Sequence, residues 1–201
     1  MIKKTLLFLL LTILIGGCAG MVEHRLSKEF ALSQPESVAI LPVHGEGPER
    51  AKRILREMTA RNIKDKNYRI KPLDETDRIL KTLDPQKKIK AQEVVELLGT
   101  DSILLVNITE WDESLVTPYG ALSIEVTFTL YGKEGTILWS AESREKQNSI
   151  KLDKELLKMG VIEVYEPMLE RLTEAALFTL PDRKPEERPE KKKKKRFFDW
   201  L

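Results

Sequence analysis

Cysteine occurs once among the 201 residues, at Cys18, where an apolar run gives way to the small residues of IGGCAG, 15 to 20. No second cysteine exists to pair with it, so an intrachain disulfide is excluded. Neither histidine, His24 or His44, has a cysteine or a second histidine at ligand spacing, which argues against a metal site. The stretch HGEGPERAKR, residues 44 to 53, has the outline of an anion-binding loop ahead of a helix. Glu46 and Glu49 would repel a phosphate there, and an ordinary turn fits the stretch better. Carboxylates are numerous throughout, so no two stand out as an acid and a base; Glu93 and Glu96, lying between helix stripes, read as solvated. No Ser-His-Asp arrangement can be placed either. On these residues the chain is expected to be no enzyme, with no metal and no dissociable cofactor.

The lone thiol takes its meaning from what precedes it. Lys3 and Lys4 stand before an apolar stretch from Leu6 to Ile15, the basic head and apolar middle of a secretory leader. That stretch falls short of the ~20 residues a bilayer span needs. An uncleaved membrane helix with a chance cysteine at its end is the alternative. Ile15, Gly16 and Gly17 before Cys18 resemble the lipobox of bacterial lipoproteins. The resemblance implies diacylglycerol in thioether linkage to the Cys18 sulfur, cleavage before Cys18 and a further acyl chain on the new amino terminus. At ~0.8 kcal/mol per buried CH₂, two or more chains anchor a protein where one only visits. Ala19 occupies the place where an aspartate would retain such a protein in the inner membrane, which favours the outer membrane, facing the periplasm.

The formal charge of +2 includes Lys3 and Lys4. Without the leader the side chains are formally neutral, and a nucleic-acid partner is not expected. Residues 18 to 36, little periodic and ending at Pro35, are expected to form a tether of at most ~60 Å at ~3.3 Å per residue. Residues 37 to 180 alternate helical and strand patterns and suit a single domain.

SVAILPV, 37 to 43, suits a buried strand closed by Gly45, Gly47 and Pro48. Gly47 and Pro48 fit as N-cap and first residue of a helix with Ala51, Ile54, Leu55 and Met58 on one face. YRIKPL, 68 to 73, predicts an outer strand, and Asp74 can cap a short helix reaching Leu83. A further helix carries Ala91, Val94, Val95 and Leu98, with Gly99 as its C-cap. SILLVNI, 102 to 108, is apolar on both faces, as a central strand should be. Residues 121 to 143 predict a β-hairpin in which Ile124, Val126, Phe128 and Leu130 face the core while Ser123, Glu125, Thr127 and Thr129 face water or a polar partner. A helical pattern from Asp153 to Phe178 places Leu157, Val161, Tyr165, Met168, Leu172 and Ala176 near one side, with Pro167 expected to kink or split it. The fold class expected is α/β (α+β): a mixed sheet of about five strands with helices packed on it, in the order β-α-β-α-α-β-β-β-α.

VAILPV with its helix, ELLGTDSILLVNITEW (96 to 111) and GTILWSAES (135 to 143) resemble bacterial lipoprotein families whose domain is related to the curli-secretion lipoprotein CsgG and to the N-terminal domain of TolB. Leu98, Gly99, Asp101, Ile108, Thr109, Gly135, Leu138 and Trp139 fill the family's positions, and Thr100 departs from the usual alanine. Those positions are turns and core sites, so the resemblance implies a fold and a compartment more than an activity. Trp139 is expected to anchor the core under the hairpin. The long membrane-spanning hairpins of CsgG have no counterpart in this pattern.

The C-terminal stretch from residue 181 to 201, rich in proline and charge, is expected to be a disordered tail. Lys191, Lys192, Lys193, Lys194, Lys195 and Arg196 form a basic handle, and Phe197, Phe198, Trp200 and Leu201 an apolar end. The run is either a solvating segment or a docking peptide for a membrane or partner. The function expected is that of a lipid-anchored, non-catalytic accessory or scaffold of an outer-membrane secretion or assembly complex. Its partners would be the membrane, through the lipid anchor, and an envelope protein complex, with a homo-oligomer open to it. The runner-up is an activator lipoprotein of a peptidoglycan synthase, resembling the LpoB type, although the tether is short for that.

Overall fold

A computed structural model of the protein describes residues 21–84, 89–113, 122–147 and 162–183. Its elements in chain order are β1 (Met21–Leu26), α1 (Lys28–Ser33), β2 (Ser37–Ile40), β3 (His44–Gly45), α2 (Glu49–Asp65), β4 (Arg69–Ile70), α3 (Leu73–Leu80), α4 (Ala91–Leu98), β5 (Ser102–Asp112), β6 (Leu122–Gly132), β7 (Ile137–Gln147) and α5 (Ile162–Phe178). The strands form one mixed sheet in the order β1-β7-β6-β5-β2-β4, with β3 also paired to β5. β2 and β3 run parallel to β5, whereas β5, β6, β7 and β1 are antiparallel in succession.

The α/β class holds, but the sheet has seven strands rather than about five. The two additions are β3, only two residues long, and β1, which lies in the stretch expected to be a tether. From Met21 to Leu26 that stretch pairs in continuous register with β7, from Met21 opposite Arg144 to Leu26 opposite Trp139. Its exposed side chains show no alternation, so the strand is held by main-chain groups that the side-chain pattern does not report. α1 follows, its N-cap Ser27 accepting from the Glu29 N–H. The sheet therefore already includes Met21–Leu26, ahead of Ser37.

Two layers of helix meet the sheet. On one face α2 and α5 cover the main core, in which Val38, Leu104, Phe128, Leu55 and Leu172 are all buried. The buried face of α2 includes the expected Ala51, Leu55 and Met58, and that of α5 includes Tyr165, Met168, Leu172 and Ala176. α5 runs as one element through Pro167, because buried Tyr165, Met168 and Leu169 hold both sides of that position in the core. The expected residues 153–161 of that helix lie outside the described residues. On the other face α3 and α4 cover Ala39 and Ile103 with Val95 and Leu98.

The local signals mostly fall where their chemistry puts them. Gly99 closes α4 in the left-handed conformation at φ 63°, as a C-cap glycine does. β6 alternates perfectly, with Ile124, Val126, Phe128 and Leu130 buried. Pro48 and Pro72 take the N-cap places of α2 and α3, one residue after and two before the caps expected, and α3 ends at Leu80 rather than Leu83. Trp139 is fully buried beneath the hairpin, its indole N–H donating to the Thr179 hydroxyl at 3.1 Å. Replacing so large a core side chain by alanine leaves a cavity costing ~3–5 kcal/mol. Trp139→Ala should lower the unfolding free energy by that amount in urea titration, and Trp139→Phe by clearly less.

Candidate binding surface

Of the stretches carrying the lipid and tail expectations the structure places only Pro181, Asp182 and Arg183, and these are bound to Tyr68, Lys66 and Glu36 rather than disordered, so the tail can begin only after Arg183. Cys18 with Ile15, Gly16 and Gly17, and the segment from Lys191 to Leu201, lie outside the described residues. What the structure does bring together is the sheet face opposite α2 and α5. α3 and α4 cover it only near β2, the start of β5 and the facing end of β6. Beyond them, Thr127 and Thr129 of β6, Ser140 of β7 and Asn107 of β5 are half-buried, and Glu23, Arg25, Glu142 and Arg144 stand exposed.

That face has two characters. Over β6, β7 and β1 it is polar, with a shallow cleft of about 270 Å³ bordered by Glu23, Arg25, Thr127, Thr129, Ser140 and Glu142. Toward α4 it becomes a groove of about 530 Å³ lined by Leu41, Val94, Ile103, Leu105 and Tyr131. Leu105 on the groove side is the register partner of Thr129 on the cleft side, so the two surfaces are continuous. The alternation of β6 announces the polar half. The apolar half draws on four separate segments and has no local signal.

A charge relay crosses the polar half. The Thr109 hydroxyl donates to Glu125 at 2.8 Å, and the Arg144 guanidinium donates to the same carboxylate while lying 3.8 Å from Glu110. The Thr109 hydrogen bond, outweighing partial burial and joined by Arg144, holds the Glu125 carboxyl below its ordinary range. Thr109 can reach Glu125 because the β5–β6 register shifts between Ile108 and Glu110. These groups are engaged with one another and set a row of charge and hydroxyl along that part of the face.

The loop with an anion-binding outline is a docked turn. A Cβ on Gly45, at φ 92°, would lie 2.0 Å from the Ile108 carbonyl oxygen, and one on Gly47 2.7 Å from the Trp111 ring. The Glu46 N–H donates to the Ile108 carbonyl at 3.0 Å, and its carboxylate accepts from the Trp111 N–H at 3.1 Å. Trp111 also meets Tyr165 edge to face, with centroids 4.6 Å apart. Burial first, then the Glu113 carboxylate that accepts from it at 2.8 Å, push the Tyr165 hydroxyl above its ordinary pKa. Among the described residues no three His, Cys, Asp or Glu side chains converge to hold a metal ion, and no helix is long and apolar enough to cross a membrane.

No family model matches the chain, and no curated protein matches it. Solved structures do. Lipoprotein GNA1162 from Neisseria meningitidis superposes with a TM-score of 0.51 at 19% identity, over 67% of this chain and 98% of that one. The fold is shared with a bacterial lipoprotein. A PelC dodecamer from Paraburkholderia phytofirmans is 18% identical with a TM-score of 0.45, over 75% of this chain and 98% of that one. Hypothetical protein CT253 from Chlamydia trachomatis is 14% identical with a TM-score of 0.48, over 71% and 93%. At 19% identity the likeness to lipoprotein GNA1162 is one of fold.

Of the residues expected from the sequence to mark the family, Asp101 turns out to be a clamp. Its carboxylate accepts from the Glu36 and Ser37 N–H groups at 3.2 and 3.0 Å and from the Ser37 hydroxyl at 2.8 Å, and pairs with Lys133 at 2.7 Å. Partial burial alone would raise its pKa, but the hydrogen bonds from Lys133 and Ser37 prevail and hold it at about 2, against 3.8 ordinarily. A carboxyl depressed in the folded state stabilises fully above its unfolded pKa and loses that contribution as pH falls through the folded one. Asp101→Asn should therefore be less stable than the parent from neutral pH down to ~4, with the gap closing toward pH ~2. Urea unfolding at a series of pH values reads this directly.

Proposed function

We propose that this chain is a lipoprotein, held by lipid on Cys18 at the outer membrane and facing the periplasm. We take its role to be that of a non-catalytic accessory or scaffold of an outer-membrane secretion or assembly complex. The observation that carries the reading is the position of β1. Met21 is already in the sheet, so at most Ala19 and Gly20 lie between the sheet and Cys18. At ~3.3 Å per residue the domain would sit within ~10 Å of its anchor. A domain so close to a membrane meets partners embedded in or assembled on that membrane, and the open sheet face offers the surface for them.

The fold shared with lipoprotein GNA1162 supports a lipoprotein. The sequence resemblance to CsgG-related lipoproteins supports the secretion side of the reading. A scaffold also fits the chemistry of the open face, where Arg144 is already paired with Glu125 and the remaining charges are left to meet a partner. The alternative, an activator of a peptidoglycan synthase, would have to reach the cell wall from the outer membrane, and two residues of tether do not favour it. The tail from Lys191 to Leu201 adds a basic and aromatic segment that can strengthen membrane or partner contact.

Labelling and crosslinking test the proposal. Labelled palmitate should enter the parent chain and not Cys18→Ala, and the variant should move from the membrane fraction to the soluble periplasm. Crosslinking cells that make the tagged parent, followed by mild detergent extraction, should recover an outer-membrane channel or its assembly factors. Leu105→Lys, placed on the open face away from the main core, should reduce that recovery by tenfold or more while the chain stays folded. Recovery of a cell-wall synthase instead would turn the reading to the activator.

A further inference from the structure

The outer edge of β1 is the longest unpaired strand edge among the described residues, since β4 at the opposite edge has only two residues. Such an edge carries free main-chain donors and acceptors that template another strand. Their phase is fixed by one bond. The Ser27 N–H donates to the Leu138 carbonyl at 2.9 Å, so Ser27, Arg25 and Glu23 turn their main-chain groups toward β7. Val22, His24 and Leu26 turn theirs outward.

We propose that this edge pairs antiparallel with β1 of a second copy of the chain, about a two-fold axis through His24. In that register Val22 lies opposite Leu26 of the second copy and His24 opposite His24, so the outward-facing groups meet one another as hydrogen-bonded pairs. Glu23 lies opposite Arg25 of the second copy, and Arg25 opposite its Glu23. The neighbouring two-fold registers are worse: an axis through Glu23 sets two carboxylates against each other, and one through Arg25 sets two guanidinium groups together.

The surroundings favour the same choice. On the open face Glu23 stands beside Glu142 of β7, a like-charged cross-strand neighbour. Arg25 from a second copy completes a row in which a cation flanks that acidic pair. On the opposite face Leu26, 50% exposed, gains the cover of Val22 from the second copy. The sequence MVEHRL is thus complementary to itself in the one register that its hydrogen-bonding phase permits and its charges favour. The interface is isologous, closed at two copies, and extends one sheet across both. It leaves the groove beside α4 untouched.

Cysteine scanning of the full chain in detergent tests the register. Across a hydrogen-bonded antiparallel pair the Cα atoms lie ~5.5 Å apart, within disulfide reach. His24→Cys should give an oxidant-dependent dimer that a reductant reverses, while the parent, with Cys18 alone, gives none. Glu23→Cys or Arg25→Cys alone should crosslink at least tenfold less, yet the two coexpressed should crosslink to each other. By light scattering, Glu23→Arg should weaken the dimer tenfold or more, and Glu23→Arg with Arg25→Glu should restore it. Monomer throughout, crosslinking at Glu23→Cys or Arg25→Cys as strong as at His24→Cys, or a charge swap that fails to rescue would each overturn the proposal. The outcome does not depend on lipid at Cys18, because the charge variants report by mass alone.

Discussion

The architecture turns on a mismatch of length. β5 has eleven residues, and the helices that cover its outer face, α3 and α4, have eight each. At ~1.5 Å per residue such a helix is ~12 Å long, against ~37 Å for the strand. β5 is therefore buried on both faces where it begins, at Ser102, Ile103 and Leu104, and on one face farther along, through Val106 and Ile108. Everything beyond the reach of α4 must be soluble on its outer side, and β6 and β7 meet that requirement with Thr127, Thr129, Ser140 and Glu142. The same length lets β5 take β2 and then β3 along one edge and the whole of β6 along the other.

The two helical layers are joined through one buried cation. Arg56 of α2 is 8% exposed; its guanidinium donates to the Ile40 carbonyl at 2.8 and 3.2 Å and pairs with Asp77 of α3 at 2.7 Å. It reaches from one side of the sheet, past the end of β2, to the other. Removing Asp77 would leave the buried guanidinium with the Ile40 carbonyl alone, whereas Asp77 is open enough to reach water if Arg56 were lost. Arginine suits the place because its fork can serve a carbonyl and a carboxylate together. The layers are thereby set relative to each other by direction as well as by apolar contact.

What the sequence disclosed follows from the range of each interaction. The α4 stripe with its Gly99 cap, the hairpin alternation and the buried Trp139 all depend on neighbours along the chain or on bulk, and each was legible. β1 was not, because Glu23, His24, Arg25 and Leu26 are all exposed and the strand exists only through its ladder with β7. Arg56 sits among the charges of RILREMTAR, where nothing local separates a buried arginine from a solvated one. Asp101 was legible as a turn beside a strand, but its clamp needs Ser37, 64 residues away. The polar half of the open face could be seen in β6 alone, whereas the groove needed Leu41, Val94, Leu105 and Tyr131 to be assembled first.

The chain's last described residues are fastened at the far side of the sheet from β1. Lys66 pairs with Asp182 at 2.7 Å, Arg183 with Glu36 at 2.9 Å, and the Tyr68 hydroxyl donates to the Pro181 carbonyl at 2.8 Å. Met21 and Arg183 thus lie at opposite edges, about five inter-strand spacings apart, or roughly 24 Å at ~4.8 Å each. Tension between them runs sideways through every ladder in turn instead of along any one strand. One grip is a row of main-chain bonds and the other mixes hydrogen bonds with two ion pairs, so rising ionic strength weakens part of the second and spares the first. Salt therefore shifts the balance of strength across the sheet toward the β1 edge, without touching the ladder that holds it.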